Sequence, residues 1–252
     1  MKPTFLYHLL TLALLLCGMV MPSLQAQPYK NPSLSPEERT ADLLQRMTLE
    51  EKIAQIRHIH SWNIFEEQEL NKSKLQEFVG DLCWGFVEGF PLTGENCHRH
   101  MRHIQEYMLN HTRLGIPIFT VAEALHGSVH EGSTIYPQNI ALASTFNPEL
   151  AYLRATEISK ELHYQGINQI LAPCIDVVRD LRWGRIEESY GEDPYLNGIF
   201  AYKEAKGYLD NGISPMLKHY GAHGNPLGGL NLASVHCGIG ELLSLIHISE
   251  PT

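Results

Sequence analysis

Short apolar runs and longer amphipathic stretches alternate along most of this chain. The apolar runs fall at residues 84–88, 116–120, 167–172 and 214–218, each short enough for a strand. Between them lie helical patterns. One covers 98–112 and is rich in Arg and His. A second opens at Asn147-Pro148, carries Leu150, Leu153, Ile158 and Leu162, and closes at Gly166. A third opens at Asp193-Pro194, carries Leu196, Ile199, Phe200 and Leu209, and has Gly212 beyond its end. Upstream, Ser35-Pro36-Glu37-Glu38 places a cap, a proline and an acid where a helix begins, and Thr48-Leu-Glu-Glu51 repeats the capping pattern. Residues 27–34 read as an extended lead-in. The two capped helices read as an N-terminal brace.

Strand, helix, strand in this rhythm implies βαβ units and a parallel sheet. The expected fold class is α/β, an incomplete (β/α)8 TIM-like barrel. A closed barrel takes eight strands and typically about 250 residues. The pattern offers about four, so the chain should hold about the first four βα units behind the helical brace. An open half-barrel leaves sheet edges and apolar surface uncovered. No internal repeat, low-complexity stretch or interdomain linker interrupts the pattern.

Composition changes this picture little. Hydrophobic residues make up 44% of the 252, as a packed core requires. The net charge of -9, with no basic patch, argues against a nucleic-acid partner. The ends change it more. Lys2 followed by an apolar core over residues 9–21 and by Leu24-Gln-Ala26 reads as a signal peptide covering 1–26. That core is too short to span a bilayer, so export to a periplasm or beyond is expected, with no transmembrane segment after cleavage. Cys17 follows Leu16, which is large for a lipoprotein site. The remaining cysteines, Cys83, Cys97, Cys174 and Cys237, show no C-x-x-C spacing and read mostly as buried free thiols. Leu243-Ser-Leu-Ile-His-Ile-Ser-Glu-Pro-Thr252 resembles the translation of a transposase adapter used in preparing sequencing libraries. Residues 243–252 are therefore expected to be an assembly artefact, with the natural frame running on past Leu242.

The chemistry concentrates at the strand ends. Residues 171–194 hold three arginines and six acids directly after an apolar run. Glu123 and His126 follow the second strand, Asp176 and the Arg179–Arg185 loop follow the third, and Lys218-His219 end the fourth. Ends of successive parallel strands converge on one face of a barrel, where a polar substrate is held. Cations, a carboxylate and a histidine there suit sugar hydroxyls, which need donors and acceptors together.

These residues also carry a resemblance. Glu123-Ala-Leu-His-Gly127, Leu171-Ala-Pro-Cys-Ile-Asp176 through Glu192-Asp-Pro194, Lys218-His219 and the Ser35–Lys52 segment together resemble glycoside hydrolase family 3, over about 29–242. The resemblance implies a retaining, exo-acting β-glucosidase or β-xylosidase that uses no organic cofactor. It places Glu123, Arg185, Lys218 and His219 around the sugar at the cleavage subsite. Many β-glucosidases of the family have aspartate where Glu123 stands, and the glutamate form looks more like the β-xylosidase-rich branch. Asp176 is a further candidate, either touching substrate or, on the preferred reading, pinning Arg185. Trp183 reads as core rather than sugar platform.

The resemblance also implies what lies elsewhere. The family's nucleophile is an aspartate in a Ser-Asp-Trp-like motif after a later strand, and the acid/base comes later still. Both are expected beyond Leu242, so no catalytic residue is assigned within this chain and residues 27–242 alone are expected to be inactive. Glu187 and Glu188 are neighbours in one loop, whereas a retaining pair stands about 5 Å apart across the sugar. They read as braces for Arg182 or Arg185. His98, His100 and His103 lie beside Arg99 and Arg102 and read as a solvated helix face. His126 and His130 do not sit on a helix, so no metal ligand set is assigned. Two other readings stay open: a non-catalytic exported sugar-binding half-barrel, and a metal-dependent hydrolase on the same fold.

Overall fold

The computed structural model describes residues 27–88 and 93–243. The expected signal segment and residues 244–252 of the tail lie outside the described residues. The chain divides into two units, one ending at Lys52 and one starting at Ile53.

In the first unit helix α1 (Pro36–Arg46) starts as its residues dictate. The Ser35 hydroxyl accepts from the Glu38 N–H at 3.2 Å, and the Glu38 carboxylate accepts from the Ser35 N–H at 2.9 Å. Residues 28–30 form a 3-10 turn rather than an extended lead-in. The cause is local: the Tyr29 N–H donates to Asp42, and Arg39 Nε donates to the Tyr29 carbonyl at 2.8 Å, tying the turn to α1. Helix α2 (Leu49–Gln55) opens with the second reciprocal cap, between Thr48 and Glu51.

The second unit is built on a five-stranded parallel sheet. Its strands are β1 (His58–Ile59), β4 (Phe86–Glu88), β5 (Phe119–Ala122), β6 (Gln169–Ile170) and β7 (Ser214–Pro215). A short antiparallel hairpin of β2 (Phe65–Glu66) and β3 (Glu69–Leu70) precedes helix α3 (Lys72–Val79). Helices α4 (Gly94–His111), α5 (Asn139–Ala143), α6 (Glu149–Gln165) and α7 (Pro194–Asp210) fill the later crossovers. The strands lie side by side in chain order with no reversal. That is how a barrel grows, whereas a doubly wound sheet reverses at a switch point. The sheet is therefore an incomplete TIM-like barrel.

Five strands are described where about four were expected. Strand β1 carries one apolar residue between two histidines and so makes no apolar run. The second expected strand also moves, from 116–120 to Phe119–Ala122. Pro117 has no N–H to give a ladder, and Gln105 clips Ile118 instead, accepting from its N–H at 3.1 Å and donating to its carbonyl at 2.5 Å.

Alternation along the strands sorts the two faces of the sheet. Ile59, Val87, Ala122 and Ile170 enter one apolar core with Met101, Ile104 and Met108 of α4 and with Ile158 and Leu162 of α6. The other face carries His58, His60, Phe86, Glu88 and Phe119, with Phe86 and Phe119 stacked at 5.7 Å. His100 is not on a solvated helix face as expected. It is buried in the α4 stripe with Cys97, Met101, Ile104 and Met108 and meets Phe65 edge-on. The described cysteines are free, and Cys83, Cys97 and Cys174 are buried. No helix among the described residues is long and apolar enough to cross a membrane.

Candidate active site

Because the five strands are parallel, their C-terminal ends lie on one side, and three of those ends bring polar groups together. Glu123 directly follows β5. Lys218 lies beyond β7, where the pairing with β6 continues through a bridge to Cys174. The Ile175 N–H donates to the Lys218 carbonyl at 2.6 Å, and the Lys218 N–H to the Pro173 carbonyl at 3.0 Å. The Lys218–His219 peptide bond is cis. So held, the Lys218 ammonium donates to both oxygens of Glu123, at 3.1 and 3.0 Å.

His219 meets a different carboxylate. Its Nδ1 lies 2.6 Å from Asp176 Oδ2, and the Cys174 thiol donates to the same oxygen at 3.1 Å. Burial and then the Asp176 charge push the Cys174 thiol up, so it stays protonated and remains the donor. Asp176 does not pin Arg185 as expected. Glu188 holds that guanidinium through two 2.7 Å bonds, leaving the buried Asp176 to fix the His219 ring.

The brace expected of the two neighbouring acids thus falls to Glu188, while Arg182 pairs with Asp180 instead. Burial pushes the Glu188 carboxyl up, but the hydrogen bonds from Arg185 and the charges of Arg185, Lys218 and His219 outweigh this and hold it below the usual carboxylate range. Hydrogen bonding to Glu188 in turn raises Arg185. Trp183 is buried, its indole N–H donating to Asn231 at 3.0 Å. The guanidinium of Arg185 lies 6.0 Å from the Trp183 ring centre.

Sequence reasoning missed two members of this group. The His223 ring lies tilted against that of His219, 4.2 Å between centres, and 3.4 Å from Arg185 Nη1. Its position four residues after His219 was visible in the sequence, though no periodic element marked the spacing as meaningful. Cys174 stands two residues before Asp176, the period that puts extended side chains on one side.

The side chains of Lys218 and Glu188 are mostly covered, those of Arg185 and His219 are about a quarter exposed, and that of Glu123 is more open at 37%. The arrangement presents an ammonium and a guanidinium as donors beside carboxylates as acceptors, with the second ring nitrogen of His219 among them. Such a set grips neutral hydroxyls directionally, through charge-assisted hydrogen bonds.

An incomplete parallel β/α barrel with a polar cluster at its strand ends places the chain in the TIM-like barrel class of folds. Residues 48–245 match the N-terminal domain of glycosyl hydrolase family 3, and the chain belongs to that family. It is 32% identical over 221 residues to a periplasmic β-glucosidase of Salmonella typhimurium, covering 83% of this chain and 27% of that protein. It is 28% identical over 240 residues to a xylan 1,4-β-xylosidase of Xylanibacter ruminicola, covering 86% of this chain and 22% of that one. A solved β-glucosidase from Erythrobacter marinus superimposes with a TM-score of 0.79 at 28% identity, covering 89% of this chain and 31% of that one. The chain spans less than a third of the length of these proteins.

Proposed function

We propose that residues 27–242 form the sugar-holding part of an exported, retaining, exo-acting β-glycosidase that cleaves terminal β-glucosides or β-xylosides. The observation that carries this reading is the meeting of Glu123, Arg185, Lys218 and His219 from three strand ends, with Asp176 and Glu188 holding two of them in place. The relatives, a β-glucosidase and a β-xylosidase, support it at the level of substrate class. The periplasmic relative supports export, in line with the signal-like residues 1–26.

In this reading Lys218 and Arg185 donate to ring hydroxyls, Glu123 accepts, and His219 presents its remaining ring nitrogen. The nucleophile and acid/base come from chain beyond Leu242, and no organic cofactor takes part. Residues 27–242 alone hold substrate without cleaving it, and residues 243–252 are adapter-derived.

The test is a long sequencing read across the locus, followed by assay of the encoded chain on nitrophenyl β-D-xyloside and β-D-glucoside. Retaining hydrolysis is expected. Lys218→Ala should cut kcat/KM by roughly tenfold to a hundredfold, the worth of a charged hydrogen bond. Turnover by residues 27–242 alone would refute the division of labour, and an intact enzyme indifferent to Lys218→Ala would refute the sugar-holding role.

A further inference from the structure

One cluster on the sheet takes no part in the sugar reading. His58 and His60 alternate with the core residue Ile59, so both project from the face opposite the apolar core. Strand β4 pairs in parallel with β1, His58 opposite Phe86 and Ile59 opposite Val87. The next step of that register sets His60 opposite Glu88. Glu88 thus meets both rings: its Oε2 lies 3.0 Å from His60 Nδ1 and 3.8 Å from His58 Nε2. The three potential ligand atoms all lie within 4.8 Å of one another.

We propose that His58, His60 and Glu88 form a three-ligand site for a divalent transition-metal ion of the zinc class. Four observations support this over a simple ion pair. First, His58 Nε2 is buried without a hydrogen-bond partner although its ring faces the shared carboxylate. One proton on His60 satisfies Glu88 and leaves that nitrogen stranded, whereas a cation engages all three groups. Second, the spacing fits: ligands at 2.0–2.1 Å in tetrahedral array stand roughly 3.3 Å apart, between the two separations measured here. Third, two imidazoles and a carboxylate are a donor set that Zn2+ and its neighbours accept, while Mg2+ and Ca2+ prefer oxygen alone. Fourth, His60 is already oriented, stacked at 4.2 Å and 10° on Trp62.

Three protein ligands leave a fourth position for water or a substrate hydroxyl. The site stands at the same end of the sheet as Glu123, since Glu88 pairs with Val121 on the adjacent strand and Glu123 follows two residues later. The second His/Cys/carboxylate group, Cys174, Asp176 and His219, is already joined by its own hydrogen bonds. Histidines 98, 100 and 103 and the pair 126 and 130 form no such group among the described residues.

The experiment is Zn2+ titration of the metal-stripped 252-residue chain against a chromophoric chelator, repeated with Co2+ while recording its visible ligand-field absorption. One equivalent of Zn2+ is expected, and the Co2+ band should report nitrogen ligation. Glu88→Gln and His60→Gln should each weaken Zn2+ by at least about tenfold and abolish the Co2+ band, while His219→Asn should change neither. Far-UV circular dichroism identifies a variant that fails to fold, and either of the two variants suffices. Wild-type protein that loses Zn2+ to a weak chelator, or folded variants that bind as wild type does, would overturn the site. The readout is metal binding, so it stands or falls separately from β-glycosidase activity.

Discussion

Glu188 grips Arg185 through two 2.7 Å hydrogen bonds, and the same carboxylate stands 4.0 Å from Lys218. One acid therefore fixes the guanidinium and offsets part of the positive charge that the strand ends gather. The fork-to-fork geometry leaves the guanidinium little freedom to rotate.

Glu188→Gln should lower stability by about 1–3 kcal/mol at neutral pH, because it removes a charged partner from a largely covered guanidinium. The carboxyl is held below its ordinary value, so its contribution is present above the unfolded carboxylate pKa and fades as pH falls through the depressed one. Urea unfolding of wild type and variant at neutral pH and below about pH 4 checks both points. The gap between them should narrow in acid. A gap independent of pH would mean that the Glu188 charge is not what stabilises the loop.

A second buried pair sits behind the site. Arg154 of α6 donates to Glu204 of α7 at 2.5 Å, to Asn139 Oδ1 at 2.6 Å and to the Pro137 carbonyl at 2.9 Å, and the Tyr190 hydroxyl donates to the same Glu204. Both charged side chains are almost wholly enclosed. Arg154→Met strands a buried carboxylate and should cost about 3–5 kcal/mol. Adding Glu204→Leu should recover much of that loss, since two uncharged chains carry no desolvation debt. If the double variant is no better than the single, the lost hydrogen bonds from Arg154 to the Pro137 carbonyl and to Asn139 of α5, rather than the unpaired Glu204 charge, account for the cost.

Elements whose ends are written in side-chain chemistry were legible in the sequence. The Ser35–Glu38 and Thr48–Glu51 caps, the Asp193 cap of α7 and the left-handed Gly166 closing α6 all form where the residues predicted. Asp176 was misread because its partner depends on which carboxylate captures Arg185. Glu188, three residues from that arginine, wins by proximity, and no linear pattern ranks such competitions. Strand β1 was invisible because the sheet pairs it through its backbone while two of the three residues around Ile59 are histidines. The His58–His60–Glu88 group was lost with it. His100 was legible in principle, since positions 97, 101, 104 and 108 form a helical stripe and place it on the buried side. The adjacent arginines drew the reading toward solvent.

The buried His130 offers the sharpest pH test. The Ser128 hydroxyl donates to Gln165 Oε1 at 2.7 Å, so its oxygen must accept from His130 Nδ1–H, also at 2.7 Å. Nε2 is then the bare nitrogen, 3.2 Å from the Cys97 thiol, which burial pushes up to about 12 and keeps protonated as donor. Burial drives the imidazole down to about 4. Below its ordinary value near 6.5 the unfolded chain binds a proton that the folded chain refuses, so stability falls as pH drops from about 6.5 to 4 and levels off beneath. The shift is worth about 3 kcal/mol at 1.36 kcal/mol per unit. His130→Asn retains an amide donor for Ser128 but cannot titrate. Urea midpoints at pH 7.5, 6, 5 and 4 should show the variant less stable near neutrality, with a flatter profile, and the two curves converging by pH 4. Parallel profiles would assign the acid sensitivity to another group and leave His130 a purely structural bridge between Cys97 and Ser128.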